Sequence, residues 1–136
     1  MAIFVFTDGR IEINSVVMST FVKKITLKID VDDLDATAFG GNGYKARMGG
    51  LKDWSVDLEF NQDFAASAVD VTIWPLLGTV VPVKIRPTTA AISATNPEFS
   101  GSVLVKEYAP LDGSVGDLTA TGLSWPGASA LARATS

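Results

Sequence analysis

Two stretches of regular two-residue alternation restrict this chain to folds built from β-sheets. Between residues 21 and 32 the odd positions are apolar except Lys23, and the even positions beyond Val22 are polar or charged. Between residues 53 and 61 the even positions are apolar and the odd positions are polar. Because successive side chains of a strand point to opposite faces of a sheet, each stretch predicts a strand with one buried face and one solvated face.

Weaker apolar runs, separated by turn dipeptides such as Asp8-Gly9 and Asp112-Gly113, predict further strands. These runs cover residues 3–6, 10–13, 79–86, 101–108 and 118–125. Pro82 lies inside the run at residues 79–86 and has no backbone N–H to donate. This proline therefore predicts a sheet edge or a β-bulge at its position.

One segment, residues 64–78, has helical rather than two-residue spacing. Its apolar side chains recur as on one face of a helix, at Val69, Ile73, Leu76 and Leu77. We expect a short helix over a sheet, with Ser67 or Asp70 capping its start and Gly78 its end. Pro75 is tolerated there if the helix begins late, near Asp70.

The pattern as a whole predicts an all-β fold with one short α-helix, arranged as a sandwich or a barrel. A length of 136 residues supports a single domain spanning residues 1–136.

Composition excludes most familiar catalytic chemistry. The chain has no cysteine and no histidine, which removes disulfides, thiol nucleophiles, imidazole ligands and the Ser-His-Asp triad. Asp57 and Glu59 share one strand face and could form an acid/base pair, but such acids are far more often simply solvated. We therefore expect no enzyme, no metal and no cofactor.

Charge and hydropathy limit the partners of the chain. A net charge of −4 argues against a surface that grips nucleic acid, because such affinity comes mainly from lysine and arginine. No stretch approaches the ~20 apolar residues that cross a bilayer, so we expect no membrane segment. The first residues lack a basic region followed by an apolar one, which predicts no signal peptide and synthesis in a cytoplasm.

Two segments resemble surfaces that contact other molecules. Residues 33–50 form a predicted loop of about eighteen residues, longer than usual connections, and it carries Leu34, Phe39, Tyr44, Arg47 and Met48. Exposed apolar groups on such a loop favour docking to another protein, although the loop could also fold back on its own domain. The small and polar residues 126–136, with Leu131 and Arg133, predict a tail or an arm that orders on a neighbouring molecule.

The order and spacing of several short motifs resemble the major tail tube proteins of long-tailed, non-contractile bacteriophages. Within residues 34–64, an Asp-x-Thr loop is followed by an aromatic and basic segment, and then by Gly-Leu-Lys-Asp opening an alternating strand. Further matching stretches extend the likeness over residues 10–126, at residues 11–14, 22–27, 74–79, 93–97 and 101–105. The versions from phages of actinobacteria are the most similar.

This resemblance implies a β-sandwich flanked by a helix, in a subunit that forms sixfold rings stacked into a tube. Inner-sheet strands of six subunits would pair into one lumen barrel, while the long loop and the chain termini bridge adjacent rings. The implied partners are further copies of the chain, the tape measure protein in the lumen, and the tail terminator and distal tail or baseplate proteins. Genomic DNA would pass without specific binding, and the protein would reside in the virion tail after assembly in the host cytoplasm.

Candidate lumen residues follow from the polar face of the second alternating stretch. Asp53, Asp57 and Glu59 lie there and would form an acidic wall along which a polyanion slides without being gripped. Lys24 and Lys28 on the first stretch oppose this interpretation. Either that strand faces outward, or its lysines pair with acids on the next strand.

Two other functions remain open at the level of sequence. A β-sandwich that binds a carbohydrate or a cell surface could use Tyr44, Trp54 and Trp125 as its aromatic platform. The chain could also be a tube or baseplate component of a contractile or secretion apparatus.

Overall fold

Two antiparallel sheets and one short helical segment make up residues 5–136, the part of the chain that this computed structural model describes. The strands are β1 (Arg10–Ile13), β2 (Val16–Val17), β3 (Val22–Asp35), β4 (Arg47–Asn61), β5 (Val80–Arg86), β6 (Glu98–Leu104), β7 (Ala120–Pro126) and β8 (Ala132–Ala134). Helix α1 spans Val69–Ile73 and continues as a 3-10 turn over Trp74–Leu76. The expected all-β fold with one short helix is confirmed.

The core lies between a large sheet, ordered β2-β1-β5-β6-β8, and a small sheet, ordered β3-β4-β7. Alternation on β4 orients four buried side chains toward the large sheet: Trp54, Val56, Leu58 and Phe60. They share one core with buried residues of the large sheet, among them Ile11, Ile13, Val83 and Val103. The two strongest sequence patterns therefore mark β3 and β4, and the buried face of β4 is the one predicted. The predicted buried face of β3 is wrong in part, because Ile25 and Leu27 are half-buried and the apolar residues that follow them in the strand are exposed.

The structure corrects several details of the weaker elements. Residues 3 and 4 of the predicted strand at 3–6 lie outside the described residues, and Val5 and Phe6 are not in a strand. The expected edge or bulge at Pro82 is wrong, because β5 lies between β1 and β6. Pairing with β1 ends at Val83, and the Pro82 carbonyl accepts a bond from Asn14 N at 2.8 Å. The missing N–H thus faces the turn after β1, where no ladder bond is lost.

Helix α1 begins one residue before the expected start. Neither Ser67 nor Asp70 caps it, because Ala68 occupies the N-cap position without a side-chain hydrogen bond. Pro75 lies at the beginning of the 3-10 turn, where a missing N–H costs little. Gly78 follows with a φ of +83°, a conformation that suits glycine after a helical segment.

The predicted long loop at residues 33–50 is mostly a β-hairpin. β3 continues to Asp35 and β4 begins at Arg47, so only residues 36–46 connect them. We call residues 28–53 the arm, because every residue there is exposed except the half-buried Gly50. The strand residues 33–35 and 47–52 have no buried face, and their sequence lacks the alternation that would have extended the predicted strands into the arm.

The predicted free arm at residues 126–136 is also corrected. Residues 132–134 form β8, which pairs with β6 of the same chain. Arg133 lies opposite Phe99 in that ladder, and Leu131 packs, half-buried, against the core. Backbone hydrogen bonds suffice to hold a short edge strand, so the absence of large apolar side chains did not prevent pairing.

Trp54 joins the two sheets to the segment that follows β7. Its indole Nε1 donates a hydrogen bond to the Ser129 carbonyl at 2.7 Å. A methyl group at Gly101 on β6 or at Gly127 after β7 would overlap the indole ring. The two glycines therefore form the space in which the indole lies.

We predict that Gly127→Ala lowers the free energy of unfolding by about 1–3 kcal/mol, because a Cβ there overpacks the core. Trp54→Ala removes a buried aromatic side chain and lowers it by about 3–5 kcal/mol. Urea denaturation of dilute, unassembled protein measures both changes.

Gly122→Ala is the matched control, since nothing lies within 4 Å of the added methyl group on β7. It leaves the urea midpoint unchanged or slightly raised. A Gly127→Ala variant as stable as this control would contradict the packing role of Gly127.

Candidate assembly surfaces

The arm presents apolar side chains to solvent on both its strands and its tip. Leu34 and Met48 are opposite each other in the β3–β4 ladder, with exposed fractions of 52% and 64%. Phe39 and Tyr44 lie in the connecting loop, and Phe39 is fully exposed. Apolar groups clustered on a projecting hairpin are typical of a surface that another protein covers.

Polar contacts close the arm into a defined hairpin. Asp33 and Arg47 form an ion pair, with Nε and Oδ2 3.2 Å apart. The Asp-x-Thr motif has a structural role, because Asp35 Oδ1 accepts the Thr37 N–H at 2.9 Å and Thr37 Oγ1 accepts the Ala46 N–H at 3.0 Å. The hydrogen bonds from Thr37 lower the pKa of Asp35. Arg47, predicted as an inter-subunit residue, is thus used within its own arm.

The three predicted lumen acids lie on the outer face of the small sheet. Asp53 and Asp57 are exposed, and Glu59 is half-buried. Lys24 lies opposite Glu59 in the ladder, and Lys23, at a register shift in β3, places Nζ 3.2 Å from Glu59 Oε1. This face carries both charges, since Lys24 and Lys28 of β3 lie at one end and Asp30, opposite Asp53, lies farther along.

The alternative in which Lys24 and Lys28 pair with acids on the next strand is wrong in that form. Lys24 lies opposite Glu59 without an ion pair to it, and the pair across the strands is made by Lys23. Lys28 pairs with Asp30 of its own strand at 3.5 Å. Exposed pairs of this kind contribute little to stability. Their effect is to reduce the electrostatic field at the outer face of the small sheet rather than to stabilise the fold.

Both edges of the small sheet lack a strand partner within residues 5–136, since β3 and β7 are its outer strands. Open edges carry unpaired N–H and C=O groups that pair readily with another chain. The edge of β3 runs along a strand of 14 residues. These edges and the arm are the structural features that most strongly indicate self-association.

The connection from β6 to β7, residues 105–119, runs beside the outer edge of β7. Ser124 N donates to Glu107 Oε1 at 2.7 Å, and Trp125 Nε1 donates to the Glu107 carbonyl at 3.0 Å. Farther along, Ala120 N donates to the Asp112 carbonyl at 3.4 Å. The connection therefore covers this edge with a few hydrogen bonds and no regular ladder.

Tyr108 anchors that connection to the body of the domain. Its hydroxyl donates to Asp70 Oδ1 at 2.8 Å and accepts from Gln62 Nε2 at 2.9 Å, and its ring contacts Trp74 edge-on. Burial, together with the Asp70 carboxylate, raises the pKa of Tyr108 to about 12. Sequence reasoning placed Glu107 and Tyr108 at the end of a predicted strand over residues 101–108, but β6 ends at Leu104, and their contacts in the connection were missed.

An apolar groove of about 300 Å³ opens between β3 and the large sheet. Its wall includes Ile25, Leu27, Phe99 and Leu131. No group of three or more acidic side chains within residues 5–136 is placed to hold a metal ion. In the same residues, no helix reaches the length and apolar character needed to cross a membrane.

The aromatic platform of the carbohydrate-binding alternative is wrong in its proposed form. Trp54 and Trp125 are buried in the core. Of the three proposed aromatic residues only Tyr44 is exposed, and it lies on the arm. A single exposed ring does not make the stacking surface that the alternative required.

Comparison with known proteins places the fold. No protein-family model and no curated protein matches this chain. A chain in the virion of a native gene transfer agent particle matches with a TM-score of 0.72 and 16% identity, covering 93% of this chain and 95% of that one. A chain in the tail of an empty gene transfer agent particle, solved with C6 symmetry, matches with a TM-score of 0.64 and 15% identity, over 82% and 81%. The chain thus has a fold that occurs in these phage-like particles, along nearly the whole length of both chains in the first comparison.

Proposed function

We propose that this chain is the structural subunit of a phage-type tail tube, with no catalytic role, whose copies form sixfold rings stacked into a hollow conduit for DNA. The observation that carries the proposal is the likeness over 93% of the chain to a subunit of a virion, together with a second likeness to a chain of a C6-symmetric tail. The finer assignment, to tubes of non-contractile phages of actinobacteria, rests on the sequence motifs.

The edges of the small sheet, neither of which has a strand partner in residues 5–136, support ring formation. A β3 edge from one copy beside a β7 edge from the next satisfies the backbone groups of both, and closure of the ring leaves no edge. Each copy uses two different surfaces in such a contact, so the interface is head-to-tail and closes under rotation. This arrangement makes one continuous barrel from the small sheets.

The arm supports stacking of rings. It extends beyond the core and carries Leu34, Phe39, Tyr44 and Met48 on its exposed surface. A head-to-tail contact of the arm with a copy in the next ring propagates without limit, which produces a tube.

The outer face of the small sheet would line the lumen. Asp53, Asp57 and Glu59 lie on it, and the mixture of lysines and acids keeps it from gripping a polyanion. A tape measure protein would fill this lumen during assembly in the host cytoplasm, and a tail terminator and distal tail proteins would cap the tube in the virion. DNA would pass through without specific binding.

The role of the arm predicts that the double variant Phe39→Ser, Tyr44→Ser remains folded but no longer forms tubes. Both side chains are exposed, so their loss leaves the core intact while it removes apolar contact area. Negative-stain electron microscopy of concentrated protein measures tube formation, and urea denaturation confirms the fold.

Val71→Ser is the matched control, because Val71 is 51% exposed on α1, away from the arm. It forms tubes of normal width. Normal tubes from the Phe39→Ser, Tyr44→Ser variant would refute the docking role of the arm, and no rings or tubes from unmodified protein at any concentration would refute the proposed function.

The lumen assignment predicts that Asp57→Lys, Glu59→Lys assembles normally but slows DNA ejection, because lysine contacts bind phosphate. The measurement is the rate of DNA release from particles built with the variant, and the delay shrinks as salt concentration rises. Asp117→Lys is the control, because it makes the same change of charge at one position outside the small sheet. It leaves the rate of DNA ejection unaltered. Unchanged ejection in the double variant would show that these side chains do not line the bore.

A further inference from the structure

The side chain of Glu107 occupies a hydrogen-bonding position on the outer edge of β7. Ser124 lies opposite Asp57 of β4, and its N–H donates to Glu107 Oε1 at 2.7 Å. Each residue of an antiparallel strand directs its N–H and C=O to the same edge, so those groups of Ser124 face away from β4. The carboxylate oxygen is thus placed where the carbonyl oxygen of an added strand would lie.

The backbone of Glu107 is held while its side chain is exposed. Its carbonyl accepts from the indole of Trp125, which is fully buried, and the next residue, Tyr108, is tied to Asp70 and Gln62. The carboxylate itself lies at the surface, beside Lys24, Asp57, Glu59 and Ser124 in a shallow depression. The side chain can therefore rotate away without disturbing the core.

Charge complementarity identifies the strand that would take its place as β3 of a second copy. The first half of β3, residues 22–28, carries three lysines and no acid, whereas the four aspartates of the strand all lie in its second half. Glu107 lies at the opposite margin of the same sheet. Among the described residues Lys24 forms no ion pair. Two copies placed side by side can bring the lysine-bearing first half of β3 to Glu107, and opposite charges on adjacent strands attract.

We infer that Glu107 is a latch on the β7 edge. In the free subunit its carboxylate caps Ser124 N–H and delays pairing, and on ring closure it turns aside so that β3 of a second copy supplies the carbonyl. This inference rests on the proposed function and adds a control over when subunits join. A charge-assisted bond to the carboxylate is stronger than a neutral one, which suits it to holding the edge until a partner strand arrives.

The test compares Glu107→Ala, Glu107→Gln and Asp112→Ala. Glu107→Ala opens the edge and shortens the lag before polymerisation, as followed by light scattering. Glu107→Gln keeps an acceptor oxygen but no charge, and its lag is intermediate. Asp112→Ala removes the same charge from the same connection without touching the edge, because Asp112 bonds through its backbone carbonyl, and its lag is unchanged.

Hydrogen exchange of the Ser124 amide in dilute subunit tests the latch apart from assembly. Exchange is faster in Glu107→Ala than in the unmodified protein or in Asp112→Ala. An equal lag or equal Ser124 exchange in Glu107→Ala, or an equally short lag in Asp112→Ala, overturns the latch while the tube proposal stands. Failure of the unmodified protein and all three variants to polymerise overturns the latch and the tube together.

Discussion

The three-stranded small sheet sets the constraint on which the rest of the structure depends. Its inner face supplies Trp54, Val56, Leu58 and Phe60 to the core, so it cannot be removed or reshaped without loss of the fold. Both of its edges nevertheless lack a strand partner in the described chain. Backbone donors and acceptors at such edges must be satisfied by water, by side chains or by another chain. The subunit is therefore stable in its core and incomplete at its margins.

Sequence predicted the fold where side chains meet the core and failed where backbone bonds alone determine structure. Residues 53–61 alternate because one face of the strand is buried against the large sheet, and the strand was predicted there. In the part of β4 before residue 53, which belongs to the arm, both faces are solvated. The sequence there has no alternation, and a loop was predicted instead of a strand. β8 was missed for the same reason, since its three residues pair with β6 through the backbone. Pro82 led to the prediction of a sheet edge or a bulge, although β5 is an inner strand. The proline is tolerated there because its missing N–H faces a turn.

For the candidate surfaces too, some features could be predicted from sequence and others could not. Leu34, Phe39, Tyr44 and Met48 could be found from sequence, because apolar residues in a polar connection stand out, and all four are exposed. Their arrangement could not, since the pairing of Leu34 with Met48 depends on ladder register. Glu107 left no signal, because its contact with Ser124 joins positions 17 residues apart through the path of a connection. Contacts of that kind require coordinates.

The polar contacts within the arm bear on how readily it can dock. An apolar hairpin that was flexible before binding would lose conformational entropy on contact, and this loss would offset much of the gain from burial. Asp33 with Arg47, and Asp35 with Thr37, hold the two strands and their closing turn in register while the arm is still in solvent. The contact energy of the apolar residues is then available for association rather than for ordering the arm. The Asp-x-Thr motif thus has a physical role that requires no ligand, since it orders the arm before any contact is made.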